Sequence, residues 1–256
     1  MKILNDREVP CPMHSCLSEL PDAPATGLRI WTADLDSLSP AAVGQLGTLL
    51  DATERARAAR FHFERDRQHY IATHGLLRNL LGDTLNQSAS TLTFQSGPYG
   101  KPALAAEDRH CPNLGFNLSH SGDWAMFALA WDREVGIDLE TITHVEGDED
   151  ELSGLAARIF STREMTHWRA LPKIETRRAA FLRAWTRKEA YAKAIGKGVA
   201  DELRHIELVL DAAAPKPSLI VNLSRKGEGR TRDWAIHDLP APEGFAAAVA
   251  FNKAAA

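Results

Sequence analysis

Hydrophobic and polar positions follow two different periods along this chain, and each change of period marks an element. Residues 28–35, LRIWTADL, are β-branched and aromatic and predict a strand. From Pro40 to Leu81 the pattern is helical. In RQHYIATHGLLRNLLG, Tyr70, Ile71, His74, Leu77 and Leu81 recur every three to four residues, and Gly82 is the expected stop. TLTFQSGPYGKPAL predicts a short strand running into a turn built on Gly97, Pro98, Gly100 and Pro102. Strands are predicted at 114–119, 125–131 and 135–139, with Ser121 and Gly122 turning between the first two.

Residues 141–155 are acidic and polar and predict a mobile linker. Ser161 and Glu164 have the S-x-x-E spacing of a capping box, which starts a helix. A long helix is expected over 174–195, ending at Gly196 with Gly198 just beyond. Strands follow at 206–210, 219–223, 234–237 and 246–251. The order is strand, helices, strands, then helix, strands: two successive α+β units rather than an alternating βαβ chain. DWAMFALAW and GFAAAVAF echo each other as apolar strands after a turn. Residues 1 to about 27, rich in Pro and polar residues, read as a loosely ordered extension.

Composition narrows the function. Of 256 residues 44% are hydrophobic and 25% charged, which excludes disorder for most of the chain. The formal charge of −4 excludes a uniformly basic surface for nucleic acid, so any anion site is local. The apolar run at 125–131 falls far short of the roughly 20 residues that span a bilayer. Charge in MKILNDREV argues against a signal peptide, so a cytoplasmic protein is expected. Three cysteines imply no disulfide framework. Cys11, His14 and Cys16 lie close together, but Cys111 has only His110 beside it, so no zinc site is assigned.

Three features carry candidate chemistry. In Gly136-Ile-Asp-Leu-Glu140, the strand period of two puts Asp138 and Glu140 on one face. Such a pair suits Mg2+, which needs one or two carboxylates when phosphates complete its shell; alone, it is also the pattern of a solvated strand edge. In WTRKEAYAKAIGKG, Trp185, Glu189 and Lys193 line one helical face with Lys188 a short rotation away. That pattern suits a metal ligand or proton acceptor beside phosphate-binding lysines, or an ordinary surface pair worth about 0.3–0.5 kcal/mol. Lys101 on a Gly-Pro turn, and Ser119 and His120 at a strand end, are donors for an anion. Ser119 and His120 face opposite ways on a strand, which argues against a nucleophile and base pair. Arg55, Arg57, Arg60, Arg65 and Arg67 crowd one helical region, where one or two suit a nucleotide phosphate.

Together GKP, FNLSHSG, GIDLE and WTRKEAYAKAIGKG, in this order over roughly residues 50–210, resemble the surfactin-type 4'-phosphopantetheinyl transferases, in the branch with W and KEA at these positions. The resemblance implies two lobes related by a pseudo-two-fold axis, each a small antiparallel sheet on a long helix. The lobes would be 28–133 and 134–256, with coenzyme A between them and residues 1–27 unassigned. It implies that Asp138, Glu140 and Glu189 hold Mg2+, with Mn2+ not separated from it. Lys193, with Lys188, would contact phosphates, while Lys101, Ser119, His120 and Arg57 would hold the nucleotide end. Glu54 stands where a second basic residue is usual. The implied reaction moves 4'-phosphopantetheine from coenzyme A to a serine of an apo acyl or peptidyl carrier protein, with Glu189 and Lys193 catalytic and a monomer expected. A Mg2+-dependent phosphohydrolase and a silent nucleotide- or carrier-binding module are the alternatives.

Overall fold

A computed structural model describes residues 16–97, 100–105, 113–145, 148–196, 203 and 234–252. In the N-terminal lobe, strands β1 (Leu17–Glu19), β2 (Leu28–Asp34), β5 (Leu114–Ser121) and β6 (Trp124–Trp131) form an antiparallel sheet in the order β1-β2-β6-β5. Helices α1 (Pro40–Leu49), α2 (Ala52–Ala58) and α3 (Glu64–Leu85) accompany it, and β3 (Phe94–Ser96) pairs with β4 (Pro102–Leu104). The C-terminal lobe has β7 (Val135–Thr141), α4 (Glu149–Ile159), α5 (Thr162–Arg169), α6 (Ile174–Ile195), β8 (Trp234–Leu239) and β9 (Phe245–Asn252). Its sheet order is β7-β9-β8, again antiparallel. The strands expected at 206–210 and 219–223, and Gly198, lie outside the described residues. No described helix is long and apolar enough to cross a membrane.

The echo between DWAMFALAW and GFAAAVAF has a structural basis, since β6 and β9 are interior strands of their sheets and have neighbours on both sides. Ile30, Met126, Ala128, Ile137, Leu139, Val249 and Phe251 form one buried cluster, so the backs of the two sheets pack together. Trp31, Leu76, Leu77, Leu81, Phe116 and Phe127 form the core between the first sheet and α3. Strand β6 therefore buries both faces, which is why its sequence is a continuous apolar run.

Long helices α3 and α6 each follow a short helix begun by a capping box. Asp51 and Glu54 cap α2 reciprocally, as Ser161 and Glu164 cap α5. In each lobe the capping glutamate also receives a fully buried base from the long helix. Arg78 Nε reaches Glu54 at 2.7 Å, and Lys188 Nζ reaches Glu164 at 2.7 Å. Asp51, Glu54 and Arg78 stand at the same separations as Ser161, Glu164 and Lys188. The pseudo-two-fold relation is thus written into side-chain contacts as well as topology.

Several expectations change. The helical stretch from 40 to 81 is three helices, because α1 ends on extended Leu50 and the Asp51 cap starts a new one. Gly82 does not stop α3, which runs to Leu85 and ends on left-handed Asn86, φ 53°. A Cβ on Gly82 would lie 2.8 Å from the Gln87 carbonyl oxygen, so that glycine admits the returning chain. The acidic linker is instead a 3-10 turn, Ile142–Val145, and the first turn of α4. There Asp148 accepts from the Asp150 and Glu151 amides, and the acidic residues meet the positive end of the helix. Residues 17–19, within the polar extension, pair with β2 as an edge strand.

Candidate active site

Gly136 sets the site. A Cβ there would lie 2.1 Å from the Ala190 oxygen and 2.3 Å from the Ala194 nitrogen, so α6 rests directly on the β7 backbone. Ile137 and Leu139 enter the core between the sheets, which turns Asp138 and Glu140 to the other face, toward α6. Strand β5 lies beside β7 and stitches to it with alternate side chains. Asn117 Oδ1 accepts the Ile137 amide at 2.9 Å, Ser119 Oγ donates to Asp138 Oδ1 at 3.1 Å, and Ser121 Oγ donates to Glu140 Oε2 at 3.2 Å.

Asp138 is 2% exposed. Its Oδ1 also accepts from Lys193 Nζ at 2.7 Å, and the same ammonium donates to Ser119 Oγ at 2.9 Å. Its Oδ2 is buried without a hydrogen-bond partner among the described residues. Burial pushes the Asp138 carboxyl up against the opposing pull of Lys193. Glu189, also buried, is pushed up to about 7, first by desolvation and then by the negative charge of Asp138, with Glu140 adding to it. The three carboxylates thus feel one another, but their oxygens do not gather within 4.8 Å as metal ligands would; among the described residues Asp36, His69 and Asp123 do so. Arg65 already serves that second group as its cation, pairing with Asp36 at 2.9 Å and with Asp123.

On the N-terminal side, Arg57 lies over the Tyr70 ring at 5.7 Å, and His74 stacks on that ring at 4.1 Å. His74 Nδ1 meets Glu54 Oε1 at 3.3 Å. Glu54 is therefore the capping residue of α2 and the partner of His74 and Arg78, and its acidic character is structural. His120 is open to solvent at the end of β5, yet enclosing protein lowers its pKa, helped by His74, Lys193 and His69. Ser119 and His120 do face opposite ways: Ser119 toward Asp138 and Lys193, His120 toward the α3 histidines.

Three of the residues expected to bind the nucleotide or phosphates have partners within the fold. Lys188 is fully buried, and its ammonium donates to Glu164, the Ile159 oxygen at 2.6 Å and the Leu203 oxygen at 2.9 Å, leaving no donor for a phosphate. Lys101 donates to the Val135 oxygen at 3.0 Å and the Ala194 oxygen at 2.8 Å, so it fastens β7 to the end of α6. Ser119 donates to Asp138 and accepts from Lys193. Sequence reasoning missed Asn117 and Ser121, although the strand period running through Ser119 marks both. It also missed His74, which sits in an apolar helical stripe and reads there as core.

A fold of two pseudo-symmetric α+β lobes with an acidic group and a lysine where they meet defines a class. Residues 134–250 match the 4'-phosphopantetheinyl transferase superfamily, and residues 38–131 match the 4'-phosphopantetheinyl transferase N-terminal family. The chain is 38% identical over 189 residues to the 4'-phosphopantetheinyl transferase HetI of Nostoc sp., covering 73% of this chain and 76% of that one. It is 31% identical over 205 residues to the human L-aminoadipate-semialdehyde dehydrogenase-phosphopantetheinyl transferase, covering 78% and 66%. With the 4'-phosphopantetheinyl transferase psf-1 of Bacillus pumilus it shares 32% over 157 residues, covering 61% and 62%. The chain belongs to the 4'-phosphopantetheinyl transferase superfamily. It is a transferase that moves the 4'-phosphopantetheine group of coenzyme A to carrier proteins.

Proposed function

We propose that the junction of the lobes is where this transfer takes place, with Asp138, Glu140 and Glu189 closing by side-chain rotation from their present wider spacing to become the ligands of a Mg2+ ion. The carrying observation is the Oδ2 of Asp138, buried without a hydrogen-bond partner among the described residues, together with Glu189, whose pKa burial and then the charges of Asp138 and Glu140 raise. Oxygen donors of this kind suit a hard divalent cation, and Mn2+ fits the same set. When bound, the ion neutralises charge on the pyrophosphate and on the leaving oxygen.

The remaining chemistry falls to this chain's side chains. Lys193 supplies a fixed positive charge to the pyrophosphate, and Ser119 holds both Lys193 and Asp138 in place. Arg57 is the cation of the corner for the nucleotide end, with the imidazoles of His120 and the newly found His74 beside it. The carrier serine hydroxyl attacks the β-phosphorus, forming the new ester as the bond to adenosine 3',5'-bisphosphate breaks. Glu189 is the candidate acceptor of the serine proton, directly or through water; its pKa of about 7 belongs to the site without an ion, and as a metal ligand it is a poor base whose part narrows to orienting that water. Positioning and charge supply most of the rate in such a transfer. A cytoplasmic location and a monomer are part of the same reading, because coenzyme A is an intracellular substrate and two fused lobes already build both walls of the cleft.

The test is an intact-mass assay of an apo carrier protein incubated with coenzyme A and Mg2+. One added phosphopantetheine supports the reading, while phosphate release from coenzyme A without transfer overturns it.

A further inference from the structure

The side chain of Lys101 crosses from one lobe to the other. Lys101 immediately precedes β4, in a turn where the Gly97 amide donates to the Lys101 oxygen at 2.9 Å and Gly100 takes a left-handed φ of 82°. Strand β4 is anchored in turn, because Leu104 is buried in the core of the N-terminal lobe. From this fixed base the Lys101 Nζ donates to the Val135 oxygen of β7 at 3.0 Å and to the Ala194 oxygen of α6 at 2.8 Å, both in the C-terminal lobe. Glu134 Oε2, 3.7 Å away, faces the third donor of the ammonium.

Both acceptors sit where the chemistry is assembled. Ala194 is the last but one residue of α6, so no amide of that helix reaches its oxygen, and the Gly196 amide turns back to Ala192 and Lys193. An ammonium on that oxygen also meets the negative end of the helix. Val135 and Ala194 flank the point where α6 rests on Gly136, since a Cβ on Gly136 would lie 2.3 Å from the Ala194 nitrogen. Lys101 therefore clasps helix to strand at their closest approach. Lys193 directly precedes Ala194, and Asp138 lies on the strand that Val135 begins; their side chains meet at 2.7 Å. Burial pulls the Lys101 pKa down, and an apolar side chain would fill the same space without that penalty, so it is the donors that matter here.

We infer that Lys101 is a positioning residue for the transfer: it holds the last turn of α6 on β7, across the boundary between the lobes, so that Lys193 stands in register with Asp138 and the pyrophosphate. The inference rests on Lys193 serving the pyrophosphate, and it adds the residue that sets where Lys193 stands. Misplacing such a group by about 1 Å costs up to about 100-fold in rate, so a clasp on two backbone oxygens is enough to matter.

The test is a double-variant cycle read with the carrier mass assay, together with hydrogen exchange of the α6 amides in the unliganded protein. Lys101→Met keeps the length of the stem and removes the donors. It is expected to lower kcat about tenfold with the coenzyme A KM unchanged, and to speed exchange at the end of α6. In a Lys193→Ala background the same change is expected to cost nothing further, because residues that act through one another are not additive. Lys101→Arg keeps the charge and the donors; it is expected to restore part of the rate, and it carries the same cycle where Lys101→Met does not fold. Losses that multiply in the double variant, or exchange at the end of α6 that stays at the wild-type rate, overturn the inference. A raised coenzyme A KM with kcat unchanged overturns it too, by assigning Lys101 to direct contact with the substrate. Lys193→Ala that transfers at the wild-type rate overturns the part given to Lys193 in the reaction, while faster exchange in Lys101→Met leaves the clasp itself standing.

Discussion

Asp138 is the residue on which the chemistry turns, because one of its oxygens is held by Ser119 and Lys193 and the other is buried with no hydrogen-bond donor to it among the described residues. Asp138→Ala is expected to lower transfer by several orders of magnitude in the carrier mass assay, with near-wild-type rates arguing that the metal lies elsewhere. Glu189 gives a pH prediction with a definite sign. Its pKa rises on folding from 4.5 to about 7, so its contribution to stability is full below 4.5 and is lost as the pH climbs through 7. In metal-free buffer the melting temperature should fall across that window, by up to about 3 kcal/mol of stability. Glu189→Gln should flatten the slope, and Mg2+ should stabilise the wild type more at pH 8 than at pH 5.5. Lys188 yields the opposite kind of result. Lys188→Met strands the buried Glu164 carboxylate, so a stability loss of about 3–5 kcal/mol is expected in denaturant titration, with the coenzyme A KM of the folded fraction unchanged.

At the scale of elements, two contacts bring the chemistry together: α6 lying on Gly136 and β5 stitched to β7. Gly136→Ala places a methyl carbon at 2.1 Å from a backbone oxygen, which no rotamer relieves. The expected outcome is separation of α6 from β7, seen as loss of cooperative unfolding and of transfer together. Asn117→Ala removes the acceptor of the Ile137 amide in a buried place and should cost about 1–3 kcal/mol in the same titration. Much at this scale was legible in the chain. The Ser161 capping box, the stop at Gly196 and the shared face of Asp138 and Glu140 depend on spacing within one element, and spacing is visible in a sequence. The break of the first helical run at Asp51 carries a D-x-x-E signal of the same kind, which the sequence reading passed over.

For the whole molecule, the two sheets share one apolar core through Ile30, Met126, Ile137, Leu139 and Val249, so neither lobe has a finished surface without the other. Residues 16–133 expressed alone should therefore aggregate or stay molten, and co-expression with 134–256 should recover a soluble, active complex. Soluble, cooperatively folding separate halves would contradict this packing.

The sequence by itself determined which residues carry charge and chemistry, the two α+β units, and the family, because motif, spacing and period are properties of a linear string. Only the tertiary structure decided which of those charges are free to act. In the sequence Lys188 and Lys193 on their helix and Lys101 on its turn all read as phosphate donors; what separates them is that carbonyls, and for Lys188 a carboxylate, from distant segments surround Lys188 and Lys101, while Lys193 ends beside Asp138 at the meeting of the lobes. Desolvation and long-range pairing arise only when remote segments pack, so no window along the chain records them.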